Sequence, residues 1–496
     1  MNRPLNIVII GAGFSGLSAA AALAKEGHQV TVLEKNEMPG GRARKFSENG
    51  FTFDMGPSWY WMPDVFESFF NKYGKKASDF YELKRLDPSY RVYFGSKSFT
   101  DVPATPDKLG NLFEQLEPGS KKKLDQFLEE GKFKYELGIN KLVRKPGLSL
   151  FEFADIKLLF GVLRLHVFQS ISSYVRKFFR HERIVKLLEF PVLFLGATPE
   201  DTPALYSLMN YADIALGTWY PEGGMHKIVD AMVKVAEQQG VKFVCNSEVT
   251  GFKFEDKRIS VVSTSTQEFP CDACVATADY HHIEQQLLPV SRRRYSEKYW
   301  AKRTFAPSSL IFYVGLNKKL KGLLHHTLFF DVDFGLHAKE IYHDPKWPTM
   351  PQFYLSCTSI SDETVAPQGC ENIMILIPVA PGLTDEPETR EKYYISIMSR
   401  LENLIGASVL PHVIYKRTYA HRDFIGDYHA YKGNAYGLAN TLLQTANLKP
   451  SIINKKVPNL FYAGQLTVPG PGVPPSIISG EVVAGHLMKS MKSQSH

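Results

Sequence analysis

The sequence predicts an α/β protein with a Rossmann-type nucleotide-binding unit at its N terminus, and three observations carry that prediction. Residues Leu5 to Gly41 read as strand, glycine turn, helix and strand, with an acid closing the second strand. A helix-plus-strands block of similar character recurs at 220–280, and a glycine-rich strand, loop and helix close the chain after Asn459. At 496 residues the chain is also too long for one simple core, so a second domain is expected.

The first block is the most informative. An apolar run, Ile7 to Ile10, stops at Gly11, which lets the chain turn off the strand. Gly13 has no side chain, so a pyrophosphate can approach the backbone, and Gly16 lets the following helix pack closely. The free N–H groups and positive dipole end of that helix face the phosphates. Gln29 to Leu33 forms the second strand, and Glu34 then sits where an acid accepts hydrogen bonds from a ribose diol. The unit predicts an ADP-containing dinucleotide and does not by itself choose between FAD and NAD. Gly40, Gly41 and Arg42 add a second backbone approach and a guanidinium just beyond the acid. That turn resembles the extended fingerprint of the FAD-binding amine oxidase and phytoene desaturase superfamily.

After Arg42, Phe51 to Asp54 reads as a short strand running into Gly56-Pro57. Trp59, Tyr60 and Trp61 follow, either as ordinary core or as a hydrophobic wall near the cofactor. Alternation over 81–105 predicts strands of a second sheet, and Asp107 to Leu142 turns helical. Residues 141–186 hold ten basic side chains against three acidic ones among many apolar residues, a local charge of +7. Helices that are apolar on one side and basic on the other suit an anionic membrane surface, and Lys157, Arg164, Arg176, Lys177 and Arg180 are the expected contacts. The rival reading is a pair of helices covering the core with a solvated basic face.

The helix His226 to Gln239 follows, then Val241–Cys245, Glu248–Phe254 and Ile259–Ser263, read as a β-meander, and a buried strand at Asp272 to Asp279. Strand signals at Leu310–Leu316, Gln352–Ser356 and Asn372–Val379 belong to the second domain. In the last block, Gly464, Gln465, Gly472, Val473 and Pro474 lead into a helix from Ser476 to Met491. A second helix N-terminus behind a glycine loop can hold the other end of the cofactor.

Composition narrows the class. Hydrophobic content of 44% and charged content of 22% are ordinary for a globular protein, so gross disorder is excluded. The five cysteines form no disulfide framework, and the first residues lack a signal-peptide pattern, which predicts a reducing, cytoplasmic setting. No apolar run reaches the ~18 residues of a membrane span. No nucleic-acid module accompanies the basic charge. Cys271-x-x-Cys274 lacks a redox or metal context, and the pairs His281-His282 and His325-His326 do not face each other on a helix, so no metal site is expected.

Most of the chain is similar to bacterial carotenoid desaturases of the phytoene desaturase type. The matches are Gly11-x-Gly13-x-x-Gly16 with Glu34, Gly40-Gly41-Arg42-Ala43, Asp54-x-Gly56-Pro57, Pro221-x-Gly223-Gly224-Met225, Gly433-Asn-Ala-Tyr436-Gly437-Leu438 and the Gly464–Pro474 signature. Two positions depart from the pattern: Gln465 stands where a small or acidic residue is usual, and Pro475 where glycine is. The resemblance implies non-covalent FAD and a long acyclic polyene drawn from the lipid bilayer. It also implies an electron acceptor such as oxygen or a quinone, and a peripheral place at the inner face of the membrane. Cofactor-binding residues would be Gly11, Gly13, Gly16, Glu34, Gly40, Gly41, Arg42, Gly56, Pro57, Gly464, Gln465, Gly472, Val473 and Pro474, with Arg42 and Asp54 as direct contacts or supports. The expected organisation is an FAD-binding domain (1–80, 220–280, 420–496), a discontinuous α+β substrate domain (81–140, 281–419) and a helical, basic, membrane-associating segment (141–219). The expected reaction is carotenoid desaturation of the phytoene-to-lycopene type. Alternatives are a 1-hydroxycarotenoid 3,4-desaturase, an FAD amine oxidase and a non-catalytic flavin-bearing scaffold. No catalytic side chain is singled out, because hydride loss beside a conjugated system leaves an allylic cation and needs no strong base.

Overall fold

The computed structural model describes residues 3–149, 152, 165–191 and 197–493. Its nucleotide-binding layer is assembled from β1 (Asn6–Ile10), α1 (Phe14–Lys25), β2 (Gln29–Leu33), α2 (His226–Gln238), β3 (Lys242–Val244), β4 (Ala273–Ala276), β5 (Leu460–Tyr462) and α3 (Val473–Ser493). The strands form one parallel sheet in the order β5-β4-β1-β2-β3. A parallel sheet is covered on both faces, so its strands are apolar throughout rather than alternating; Ile7 to Ile10 and Ala273 to Ala276 are buried at every position. The helix α3 packs on α1 almost backbone to backbone. A Cβ at Gly480 would lie 2.3 Å from the Ser15 carbonyl oxygen, so only glycine fits that crossing. The two ends of the chain and its middle thus close one sheet.

One expected element moves. Alternation puts Val241–Cys245 in the meander, yet β3 joins the parallel sheet at its edge, beside β2. The meander is the three-stranded sheet Val249–Glu255, Arg258–Thr264 and Glu268–Pro270. A three-residue strand carries too little pattern to distinguish an edge of one sheet from the start of another.

The second sheet has seven strands, in the order Val413–Tyr419, Ser308–Leu316, Glu371–Val379, Phe353–Ser356, His326–Phe329, Tyr90–Gly95 and Ser98–Val102. All pairings are antiparallel except the junction of His326–Phe329 with Tyr90–Gly95, where the two distant segments meet. Side chains alternate between its faces. Phe312, Phe353, Leu355 and Ile375 pack under the helix Pro387–Ile405 through Ile397, Met398 and Leu401. Ile311, Tyr313, Leu328, Tyr354 and Met374 face the other way, toward Phe53, Trp61 and the helices Ser120–Leu137, Ile171–Phe178 and Glu182–Glu189.

Those last helices alter the reading of the basic segment. Ile171, Tyr174, Val175, Ile184, Val185, Leu187 and Leu188 are buried against Phe113, Phe127 and Phe179, so the apolar stripes serve the core. The basic residues face outward. Arg176 pairs with Glu189 and, at 3.8 Å, with Glu182, while Lys177 Nζ donates to Gln169 at 2.8 Å. Arg180 is exposed. Lys157 and Arg164 lie outside the described residues. Among the described residues no helix is long and apolar enough to cross a membrane.

Candidate functional site

The site grows from the end of β1. Gly11 has φ +100°, and a Cβ there would also press on Thr277 Oγ1 at 3.1 Å. Thr277 Oγ1 lies 2.9 and 2.8 Å from the carbonyl oxygens of Ile10 and Gly11, and its single O–H is shared between them, pinning the turn to the loop after β4. At Gly16 a Cβ would stand 2.1 Å from the Gly11 carbonyl oxygen, so the close packing inferred from the sequence is a backbone-on-backbone contact. Gly13 is different. It precedes α1 in extended conformation with no side-chain cap, and a Cβ there would meet no protein atom within 4 Å. The turn therefore leaves room just before the first turn of α1, whose leading N–H groups have no partner within the helix.

The second glycine turn sits over that space. Gly40 N–H donates to the Ala12 carbonyl at 2.9 Å, and a Cβ on Gly41 would come within 3.3 Å of Gly13 Cα. Glu34 is buried at the end of β2 and accepts from Ala12 N–H at 2.8 Å and from the Asn36 backbone and amide at 3.0 and 2.9 Å. These three bonds fix the carboxylate and leave about one of its four acceptor directions for a ribose hydroxyl.

Arg42 knits three distant stretches together. Its Nη2 donates to the Asn434 carbonyl at 3.3 Å, and its guanidinium lies 5.0 Å over the Tyr428 ring. With its amide oriented to satisfy both partners, Gln465 accepts from Arg42 at 3.0 and 3.3 Å. Gln465, a departure from the family pattern, is thus the C-terminal end of this network. Arg42 Nε is buried without a hydrogen-bond partner among the described residues. Gly56 rests on the same turn, since a Cβ there would be 2.6 Å from the Arg42 carbonyl oxygen; Pro57 follows it, half-buried. From the other end, Gly464 N–H donates to Ser479 Oγ at 3.0 Å, and its α-carbon faces Ser15 in the first turn of α1. Gly472, exposed, and Val473 and Pro474, half-buried, make the start of α3.

Asp54 caps a helix of the nucleotide layer. Its carboxylate accepts from Met225 and His226 N–H at 2.8 and 3.0 Å, capping α2, and burial pushes its pKa up to about 6. His226 in turn places Nδ1 2.9 Å from the Ala43 carbonyl.

Above these turns lies the inward face of the seven-stranded sheet. The aromatic run divides there. Tyr60 stacks on Phe66 in the nucleotide-side core, while Trp59 stacks on His326 at 4.0 Å and meets Tyr90, Tyr354 and Phe190. Trp61 Nε1 donates to Thr218 Oγ1 at 2.8 Å. Tyr354 OH donates to Ser58 Oγ at 2.9 Å and lies 2.7 Å from His326 Nδ1. His325 and His326 are fully buried, and burial pushes their pKa values down, that of His325 to about 3, so both rings are neutral. Sequence reasoning dismissed this pair on helical spacing. His326 begins a strand and His325 sits in the bend before it; the β-rich residues that follow, Thr327 to Phe330, are the available signal. Cys271 and Cys274 are buried in or beside β4, where burial drives both thiols upward, and no metal-binding cluster occurs among the described residues.

The donor set fits an ADP-bearing flavin: an open helix N-terminus roofed by a second glycine turn, a fixed acid beside it, and a buried guanidinium with a spare N–H. Comparison with known proteins agrees. The family model described as flavin containing amine oxidoreductase matches residues 14–488. A Haloarcula japonica protein named carotenoid 3,4-desaturase is 37% identical over 487 residues, covering 98% of this chain and 98% of its own. A Myxococcus xanthus protein named zeta-carotene-forming phytoene desaturase is 30% identical, covering 97% of this chain and 93% of its own. An oxidoreductase structure from Methanosarcina mazei shares the fold with a TM-score of 0.64 at 18% identity, covering 97% of this chain and 100% of its own. The chain belongs to the flavin containing amine oxidoreductase family, and it is an FAD-dependent oxidoreductase.

Proposed function

We propose that the protein is a carotenoid desaturase, removing hydrogen from CH2–CH2 units next to the conjugated system of a long acyclic polyene. The observation that carries this reading is the full-length likeness to proteins named as carotenoid desaturases. The aromatic and aliphatic face of Trp59, Tyr90, Phe190, Leu328 and Tyr354 over the glycine turns supports it. FAD, when bound, accepts the hydride. This chain's part is to orient and to exclude water. The wall holds an extended hydrocarbon in place, and conjugation stabilises the charge left on carbon before the adjacent proton departs. Phytoene-to-lycopene desaturation and 3,4-desaturation of an end-group-modified carotenoid both accord with the relatives' names.

The cofactor contacts are Gly11, Gly13, Gly16, Glu34, Gly40, Gly41, Arg42, Gly56, Pro57, Gly464, Gln465, Gly472, Val473 and Pro474 in this reading. The substrate arrives from a bilayer. Because the described apolar stripes are turned inward, membrane contact at the inner face is electrostatic, through Arg176, Lys177 and Arg180 together with Lys157 and Arg164. Oxygen or a quinone completes the turnover. Incubation with FAD and phytoene in liposomes tests the proposal: growth of long-wavelength polyene bands supports it. Conversion of a hydroxylated carotene alone selects the 3,4-desaturase form, and oxidation of amines in place of both refutes it.

A further inference from the structure

We propose that Lys449 is the electrostatic partner of the flavin ring, held at the opposite end of the cofactor track from Arg42. The track is formed by two stretches lying side by side, 434–440 and 464–470. At one end Asn434 and Gln465 meet Arg42, and a Cβ on Gly437 would touch the Gln465 carbonyl oxygen at 3.0 Å. At the other end, Lys449 Nζ donates to Asn440 Oδ1 at 2.8 Å, and a Cβ on Gly470 would lie 3.1 Å from that Nζ and 3.2 Å from Asn440 Oδ1. Gly470 leads through Pro471 and the exposed Gly472 into the half-buried first turn of α3.

Lys449 is anomalous for a lysine. Its side chain is buried, an amine has three donor positions when protonated, and Asn440 is its single hydrogen-bond partner among the described residues. No carboxylate pairs with it there. Buried lysines are normally paired, and this one is pulled down to about 7 by burial alone. An amine poised between charged and neutral, beside a glycine turn that leaves it room, lacks only an anion. Hydride acceptance puts one negative charge on the flavin ring, and a nearby ammonium favours that reduced form over the oxidised one. Arg42 and the open end of α1 serve the phosphate half of the dinucleotide, which leaves Lys449 for the ring half. The inference rests on FAD as the cofactor and is independent of which substrate supplies the hydride.

The test uses FAD-loaded protein and its equilibrium with a reference dye. Lys449→Met is expected to lower the reduced-to-oxidised ratio at fixed potential by at least tenfold, about 30 mV for a two-electron couple. Lys449→Arg is expected to keep the ratio within about threefold of wild type. Asn440→Asp retains the amine and supplies a counter-charge, so the ratio falls in the same direction. The reduced wild-type holoprotein shows the anionic flavin spectrum at a pH where free reduced flavin is neutral. A wild-type ratio in FAD-loaded Lys449→Met or Asn440→Asp, or a neutral reduced spectrum in the wild type, overturns the assignment. Carotenoid turnover enters none of these readouts, so failure of the desaturase reading would leave them unchanged.

Discussion

Two glycines three residues apart are expected to respond to the same substitution in opposite ways. Gly13→Ala adds a methyl group where no protein atom lies within 4 Å, at φ −74° and ψ 176°, a conformation alanine adopts freely. The apo-protein should lose nothing and gain about 0.4–1 kcal/mol by restricting the unfolded chain. The methyl group does occupy the gap that Gly41 closes from above, which the proposed cofactor contacts assign to the pyrophosphate. FAD affinity should therefore fall on the order of 100-fold, about 2.7 kcal/mol. Gly16→Ala places its methyl group 2.1 Å from the Gly11 carbonyl oxygen and 2.8 Å from Thr277 Oγ1, so backbone must move. That costs about 3 kcal/mol of overpacking, paid by the apo fold itself. Urea unfolding of the apo-proteins followed by tryptophan fluorescence, and FAD titration followed by quenching of flavin emission, measure the two effects separately. Wild-type FAD affinity in Gly13→Ala, or wild-type apo stability in Gly16→Ala, would refute the division of labour between the two positions.

Other consequences follow from the same geometry. Arg42→Met removes the bonds to Asn434 and Gln465 and leaves buried acceptors unpaired, so FAD dissociation should rise at least tenfold, about 1.4 kcal/mol, by the same titration. Asp213 accepts from Tyr90 OH and Thr218 Oγ1, and burial pushes its pKa from 3.8 up to about 7. The folded state therefore binds a proton that the unfolded state has released, and stability from this group falls as pH rises from about 4 to about 7. Asp213→Asn should flatten that slope in denaturant titrations across the window, and an unchanged slope would contradict it. Neutralising Arg176, Lys177 and Arg180 together should weaken sedimentation with anionic vesicles by about 2 kcal/mol, near thirtyfold. Each free basic residue contributes on the order of 1 kcal/mol, and Arg176 contributes less because it is already paired. Native Cys271 and Cys274 should resist thiol reagents and react only on unfolding.

The nucleotide layer was legible because its constraints are local. A strand, three spaced glycines, a helix and an acid lie within thirty residues or so, and each has one physical reason to be there. What the sequence could not show is where distant segments meet. Gln465 looked like a departure until Arg42 was found across from it. β3 has too few residues to reveal which sheet it joins. The basic segment displayed amphipathic stripes correctly, but a stripe does not say whether a bilayer or Phe113, Phe127 and Phe179 will cover it. Helical spacing is the wrong test for His325 and His326, because His326 opens a strand and His325 lies in the bend before it. Lys449 carries no motif at all; what sets it apart is burial with Asn440 as its one hydrogen-bond partner among the described residues, whereas the likewise buried Lys134 has two.

The most direct measurement of the central claim is anaerobic mixing of the FAD-loaded protein with acyclic carotenoid in vesicles, with the flavin and polyene bands read together. The account predicts bleaching of the flavin absorbance matched, in equal amounts, by growth of a longer-wavelength polyene band. Flavin that stays oxidised with phytoene and hydroxylated carotenes alike, yet bleaches with an aliphatic amine, would contradict it.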